Sequence, residues 1–103
     1  MDLTTLSNDD LLKKVLEFRH KEKEATLAIL YHLIEIERRG LYRELGHSSM
    51  FDYLTKRLGY SEGSAQRRIV ASRCIGDNPE LGTLFIEGKV TLCNIACSPL
   101  FAK

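Results

Sequence analysis

Lys56, Arg57, Ser61, Ser64, Gln66, Arg67, Arg68 and Arg73 crowd cations and hydrogen-bonding side chains into one short stretch. Between residues 50 and 75, five Lys/Arg stand against only Asp52 and Glu62. Residues 1–47 balance eight Lys/Arg with nine Asp/Glu, and the remainder carries two against three. The whole chain is only +1, which excludes a polybasic protein, so the basicity is local. Guanidinium and ammonium groups neutralise phosphates, while Ser, Gln and Arg reach base edges. The chemistry indicated is contact with duplex DNA.

Other chemistries find less support. Cys74, Cys93 and Cys97 are read as thiols, because an odd number without an export signal makes no disulfide framework. Cys93 and Cys97 are four apart and share a helix face, but no CxxC and no neighbouring His completes a metal site. No cysteine has a neighbour to serve as base. His20, His32 and His47 are scattered and form no metal-binding motif, and His32 falls on the apolar side of a helix, as a core or interface residue. Glu35 and Glu37, followed by Arg38 and Arg39, and the pairs Lys13/Glu17 and Lys21/Glu24 read as helix-surface charge. The seven glycines are dispersed and make no phosphate loop. No cofactor, no metal and no catalytic residue is expected.

The elements that must position the basic stretch are helical. With 103 residues and 44% apolar content the chain is expected to form a single domain over residues 1–103. Its uncharged run Ala25 to Ile34 is too short to span a membrane. The first residues lack a basic and an apolar signal region, so a cytoplasmic location is expected. Neither Pro nor Gly interrupts Leu6 to Arg39, Ser7 can cap a helix with Asp9 and Asp10 in its first turn, and apolar residues recur at spacings of three and four. One helix of about 30 residues is expected within residues 1–40, with a break near 20–24 as the competing reading. Gly40 ends it. Its apolar stripe exceeds what the remaining chain easily covers, so the alternatives are a homodimer through this helix or C-terminal helices folded back over both halves.

After a connector, Leu41 to His47, Ser48-Ser49 caps a helix over about 50–58, stopped by Gly59, and Ser61 caps another over about 62–74. Asp77-Asn78-Pro79 offers a cap and a proline for a short helix closed by Gly88. Thr91 caps a last one, ended by Ser98-Pro99, so residues 77–98 hold two short helices. No alternating strand pattern occurs. The expected fold is therefore all-α: a long N-terminal helix packed on a helix-turn-helix over 48–75 and two short C-terminal helices. Leu54, Leu58, Ala65 and Ile69 would close the small core between the two middle helices. The second helix would then lie in the major groove, with Gln66 and Arg67 at base edges beside Ser61 and Ser64. Lys56, Arg57, Arg68 and Arg73 would meet phosphates. The opposing reading makes the arginines a solvated face, or pairs them with acids of the long helix.

Five blocks in order carry a family resemblance: Leu6-Ser7-Asn8-Asp9-Asp10-Leu11-Leu12, Glu35-Ile36-Glu37-Arg38-Arg39-Gly40-Leu41-Tyr42, Leu45 to Tyr53, Leu58 to Ile69, and Glu87-Gly88-Lys89-Val90-Thr91-Leu92. Together they resemble the helical N-terminal domain found ahead of the catalytic module in bacterial HNH endonucleases. The middle part also resembles the helix-turn-helix region of ParB-like proteins. The resemblance implies a bacterial, DNA-associated protein. It also implies no catalysis by this chain, because the His, Asn and Asp groups of an HNH centre belong to the later module. The function from another class is a protein-interaction or dimerisation module working through the long helix.

Overall fold

The computed structural model describes residues 3–97, with all regular structure helical and no strand among the described residues. Ser7 is extended and its Oγ accepts the Asp10 N–H at 3.2 Å, with Asp9 and Asp10 at the positive end of the helix dipole. Helix α1 then runs Asn8–Arg39 without interruption, so the break near residues 20–24 does not occur. Along its surface Lys14 pairs with Glu17 and His20 with Glu24, rather than Lys13 with Glu17 and Lys21 with Glu24. Gly40 ends the helix in the left-handed region at φ 65°, and its N–H donates to the Glu37 and Ile36 carbonyls.

The connector is more ordered than expected: it contains a one-turn helix, α2 (Leu41–Glu44), which buries Tyr42. Ser49 caps α3 (Met50–Asp52), its Oγ accepting the Asp52 N–H at 3.0 Å. From Tyr53 to Arg57 the helix widens into a π-helical turn, in which the Leu58 N–H reaches the Tyr53 carbonyl at 3.3 Å. Leu54 is buried as expected, but Leu58 is exposed and takes no part in the small core.

Gly59, at φ 78°, turns the chain, and Ser61 caps α4 (Glu62–Asp77), one turn longer than its capping signals indicated. Ala65, Ile69, Ala71, Cys74 and Ile75 form its buried side. Helix α5 (Glu80–Ile86) starts at Pro79 without a side-chain cap. Asn78 turns its amide back to the Cys74 carbonyl, and its own carbonyl accepts the Leu81 N–H at 3.0 Å. Gly82 sits tight against α1, where a Cβ would lie 2.4 Å from the Tyr31 hydroxyl. After Gly88, helix α6 (Leu92–Cys97) opens on a reciprocal pair: Thr91 Oγ1 accepts the Asn94 N–H while Asn94 Oδ1 accepts the Thr91 N–H, both at 3.0 Å. The stop at Ser98-Pro99 and the tail beyond it lie outside the described residues.

Leu30 and Leu33 of α1 meet Leu54, Ile69, Ile75, Leu81, Phe85 and Ile95 in one buried cluster. Helices α4 and α5 pack on α1, and α6 packs on α4. This cover reaches only the carboxyl-terminal half of α1. In the other half Leu12, Val15, Leu16 and Phe18 are 66%, 63%, 70% and 55% exposed, so the expectation that the later helices cover both halves of the stripe fails within the described residues.

Candidate functional site

The capping geometry at Ser61 leaves the start of α4 open to solvent. Ser61, Gln66 and Arg67 are exposed, and Ser64 is half-buried. Ser61 spends its hydroxyl on the Ser64 N–H, and Ser64 in turn accepts from Arg67 Nη2 at 3.4 Å. Arg68 is held more firmly. Its guanidinium lies 4.5 Å from the Tyr60 ring centre and its Nη1 donates to the Ser64 carbonyl at 3.2 Å. Its Nε is buried without a hydrogen-bond partner.

The other cations expected at phosphates already have company. Lys56 pairs with Asp52 at 2.9 Å. Arg57 Nε donates to His47 Nε2 at 3.3 Å, which leaves His47 Nδ1–H to donate to the second Asp52 oxygen at 2.9 Å. The Lys56 ammonium, and after it His47, hold the Asp52 carboxyl below its ordinary range, and Asp52 raises Lys56 in return. The His47 ring stands edge-on to Tyr53, with centroids 5.6 Å apart. Arg73 makes two bonds to the Glu37 carboxylate, at 3.2 and 2.6 Å, across to α1, and that carboxylate raises its pKa. For Arg73, pairing with an acid of the long helix is the arrangement found.

The five cations thus divide among three places. Lys56 and Arg57 stand with His47 and Asp52, and Arg73 stands with Glu37. Arg67 and Arg68 line a cleft of about 400 Å³ with Arg19, Glu22, Lys23 and Thr26 of α1 and the chain around Gly88 and Thr91. Sequence reasoning missed Arg19 and Lys23, although a signal existed. Residues 12, 16, 19, 23, 26, 30 and 33 follow one helical phase. Leucine fills it at Leu12, Leu16, Leu30 and Leu33, whereas Arg19, Lys23 and Thr26 interrupt it with polar groups. Charge in the apolar phase of a helix marks a place where something other than the core is met.

Among the described residues no group of three or more His, Cys, Asp and Glu is placed to hold a metal ion. Burial raises the Cys74 thiol pKa, Cys93 is exposed, and the side chain of Cys97 lies outside the described residues. His32 is exposed, its Nδ1 2.6 Å from the Ala28 carbonyl, so it is not the core residue its phase implied. No described helix is long and apolar enough to cross a membrane. Compared with known proteins, the chain matches no family model, no curated protein and no solved structure.

Proposed function

We propose that this chain is a DNA-binding domain of an HNH-endonuclease-like bacterial protein, non-catalytic by itself, with residues 48–75 acting as a helix-turn-helix. The observation that carries the reading is the open start of α4. Gln66 and Arg67 stand in solvent on its first turns, and Arg67 has no acid within ion-pair distance among the described residues. In the groove these two meet base edges, with Ser61 and Ser64 beside them. Lys56 and Arg57 flank them for phosphate contact. Arg73 joins in only by giving up Glu37.

Fluorescence anisotropy with random duplex DNA at low and moderate salt tests this reading. Binding that weakens steeply with salt, and that drops in Gln66→Ala/Arg67→Ala, is the expected result. No binding at low salt, or equal binding by the variant, would overturn it.

The exposed Leu12, Val15, Leu16 and Phe18 favour a second reading, self-association of two chains through α1. The stripe is apolar on every copy, so two copies complement each other. The two readings are compatible, because a dimer would present two α4 starts to two half-sites.

A further inference from the structure

We infer that the cleft between α1 and the start of α4 is a seat for a phosphodiester of duplex DNA, with Arg19 and Lys23 of α1 as its phosphate ligands beside Arg67 and Arg68. The inference rests on the DNA-binding reading and extends the contact surface to a helix outside the basic stretch of the sequence.

Lys56, Arg73, Arg38 and Arg39 each lie within ion-pair distance of a carboxylate. Arg19, Lys23, Arg67 and Arg68 have no such carboxylate among the described residues, and these four line one cleft with a single acid, Glu22. Four cations against one acid leave the cleft with a net positive charge, and the cost of that self-repulsion is offset when a polyanion enters. A phosphate oxygen is the acceptor a guanidinium fork fits best.

Position decides the source of the phosphate. The cleft adjoins the exposed first turns of α4, so a duplex whose groove holds Gln66 carries its backbone past the cleft. A nucleoside triphosphate is the weaker candidate, because its chain of phosphates calls for a glycine-rich cradle of backbone N–H groups. Gly88, the one glycine lining the cleft, sits at a turn with φ 78°.

The test compares two variants of equal charge in the full chain. Arg19→Ala/Lys23→Ala empties the cleft's α1 wall. Lys13→Ala/Lys21→Ala removes the same charge from the same stretch of helix, at residues that line a different groove with Glu17, His20 and Glu24. Alanine suits a helix at all four positions, and circular dichroism verifies that both variants fold. Against random duplex DNA, the cleft variant is expected to bind about tenfold more weakly, with the slope of log affinity on log salt reduced by roughly 1.8 for two lost phosphate contacts. The groove variant should retain most of the slope.

Equal losses in both variants would show a diffuse charge effect and overturn the assignment. An unchanged slope in the cleft variant, with Gln66→Ala/Arg67→Ala still impaired, would overturn the cleft and leave the DNA reading standing. Absence of wild-type binding at low salt would remove both. Competition at matched ionic strength settles the ligand: inorganic phosphate should displace the duplex no better than chloride, and saturable displacement would assign the cleft to a small anion instead.

Discussion

Asp52 ties three segments together at a single carboxylate. One oxygen takes Lys56, the other takes His47, and its own N–H is held by Ser49. Because the folded carboxyl titrates below its unfolded value, near 3.9, it contributes stability that is fully present above that value. The contribution is lost as pH falls through the depressed folded value. Thermal melts of wild type and Asp52→Asn should therefore differ at pH 6, wild type higher, and converge toward pH 2. A constant difference across that range would show that the carboxylate charge is not what matters. Glu35 makes the contrasting case. Arg38 and then Arg39 lower its carboxyl to about 2, yet the group is exposed to solvent that screens the pairs. In Arg38→Ala/Arg39→Ala, an NMR titration should find Glu35 back near about 4.3, while the melting temperature hardly moves. The capping serines and Asp52 as a first-turn acid were legible in the sequence. The partners of Asp52 were not, because His47 and Lys56 reach it only through a connector and a helical turn whose shapes are set by packing.

Helix α1 holds its ends by local chemistry and its middle by tertiary contacts, and substitutions along it should separate the two. At φ 65° an L-residue in place of Gly40 meets strain rather than a clash, since the nearest atom to an added Cβ is Arg43 Nη1 at 3.6 Å. Gly40→Ala should cost about 1 kcal/mol in denaturant unfolding, and Gly40→Asn less, because asparagine tolerates the left-handed region better. Along the stripe, Leu30→Ala should cost about 2–5 kcal/mol at a fully buried site. Leu16→Ala, on the same helix and in the same phase, should stay within about 0.5 kcal/mol at dilutions where the chain is monomeric. Comparable losses at both positions would mean that the exposed half is covered in solution. Periodicity, caps and glycine stops were enough to read the order of the helices and their all-α class. They could not reveal the π-helical turn at Tyr53–Arg57, because no residue type there demands it, nor that Leu58 after it stays exposed. Nor could periodicity say which half of the stripe is used, since both halves repeat leucine at the same spacing and only the folded chain decides where its remaining helices lie. The cationic cleft was legible only in part: polar groups in the leucine phase mark Arg19 and Lys23, but these lie more than forty residues from Arg67 in sequence, and only the packing of α4 on α1 brings them together.

At the scale of the molecule the uncovered half of α1 sets the shape. The extents are 49 × 32 × 21 Å and the radius of gyration is 16.3 Å, against about 13 Å for a compact chain of this length. A projecting helix arm with four large apolar side chains in water is costly to leave bare, roughly 25 cal/mol for each Å² that a partner could cover. At its amino-terminal end Leu3 and Leu6 line an apolar groove with Leu11, Val15 and Phe18. If the arm serves self-association, the mass by sedimentation equilibrium should climb from 11.7 kDa toward twice that value as concentration rises. Leu16→Glu/Phe18→Glu should hold it at the monomer value without altering the helical signal, because both side chains are exposed and glutamate is a good helix former. If the proposed DNA-binding reading holds as well, association should tighten DNA binding, since two linked α4 starts would engage two half-sites more tightly than one. The monomeric double variant should then bind duplex DNA more weakly than wild type with Gln66, Arg67, Arg19 and Lys23 all intact. A wild-type mass that stays at 11.7 kDa at every concentration would sink self-association, and an unchanged DNA affinity in the variant would separate the arm from the DNA surface proposed at α4.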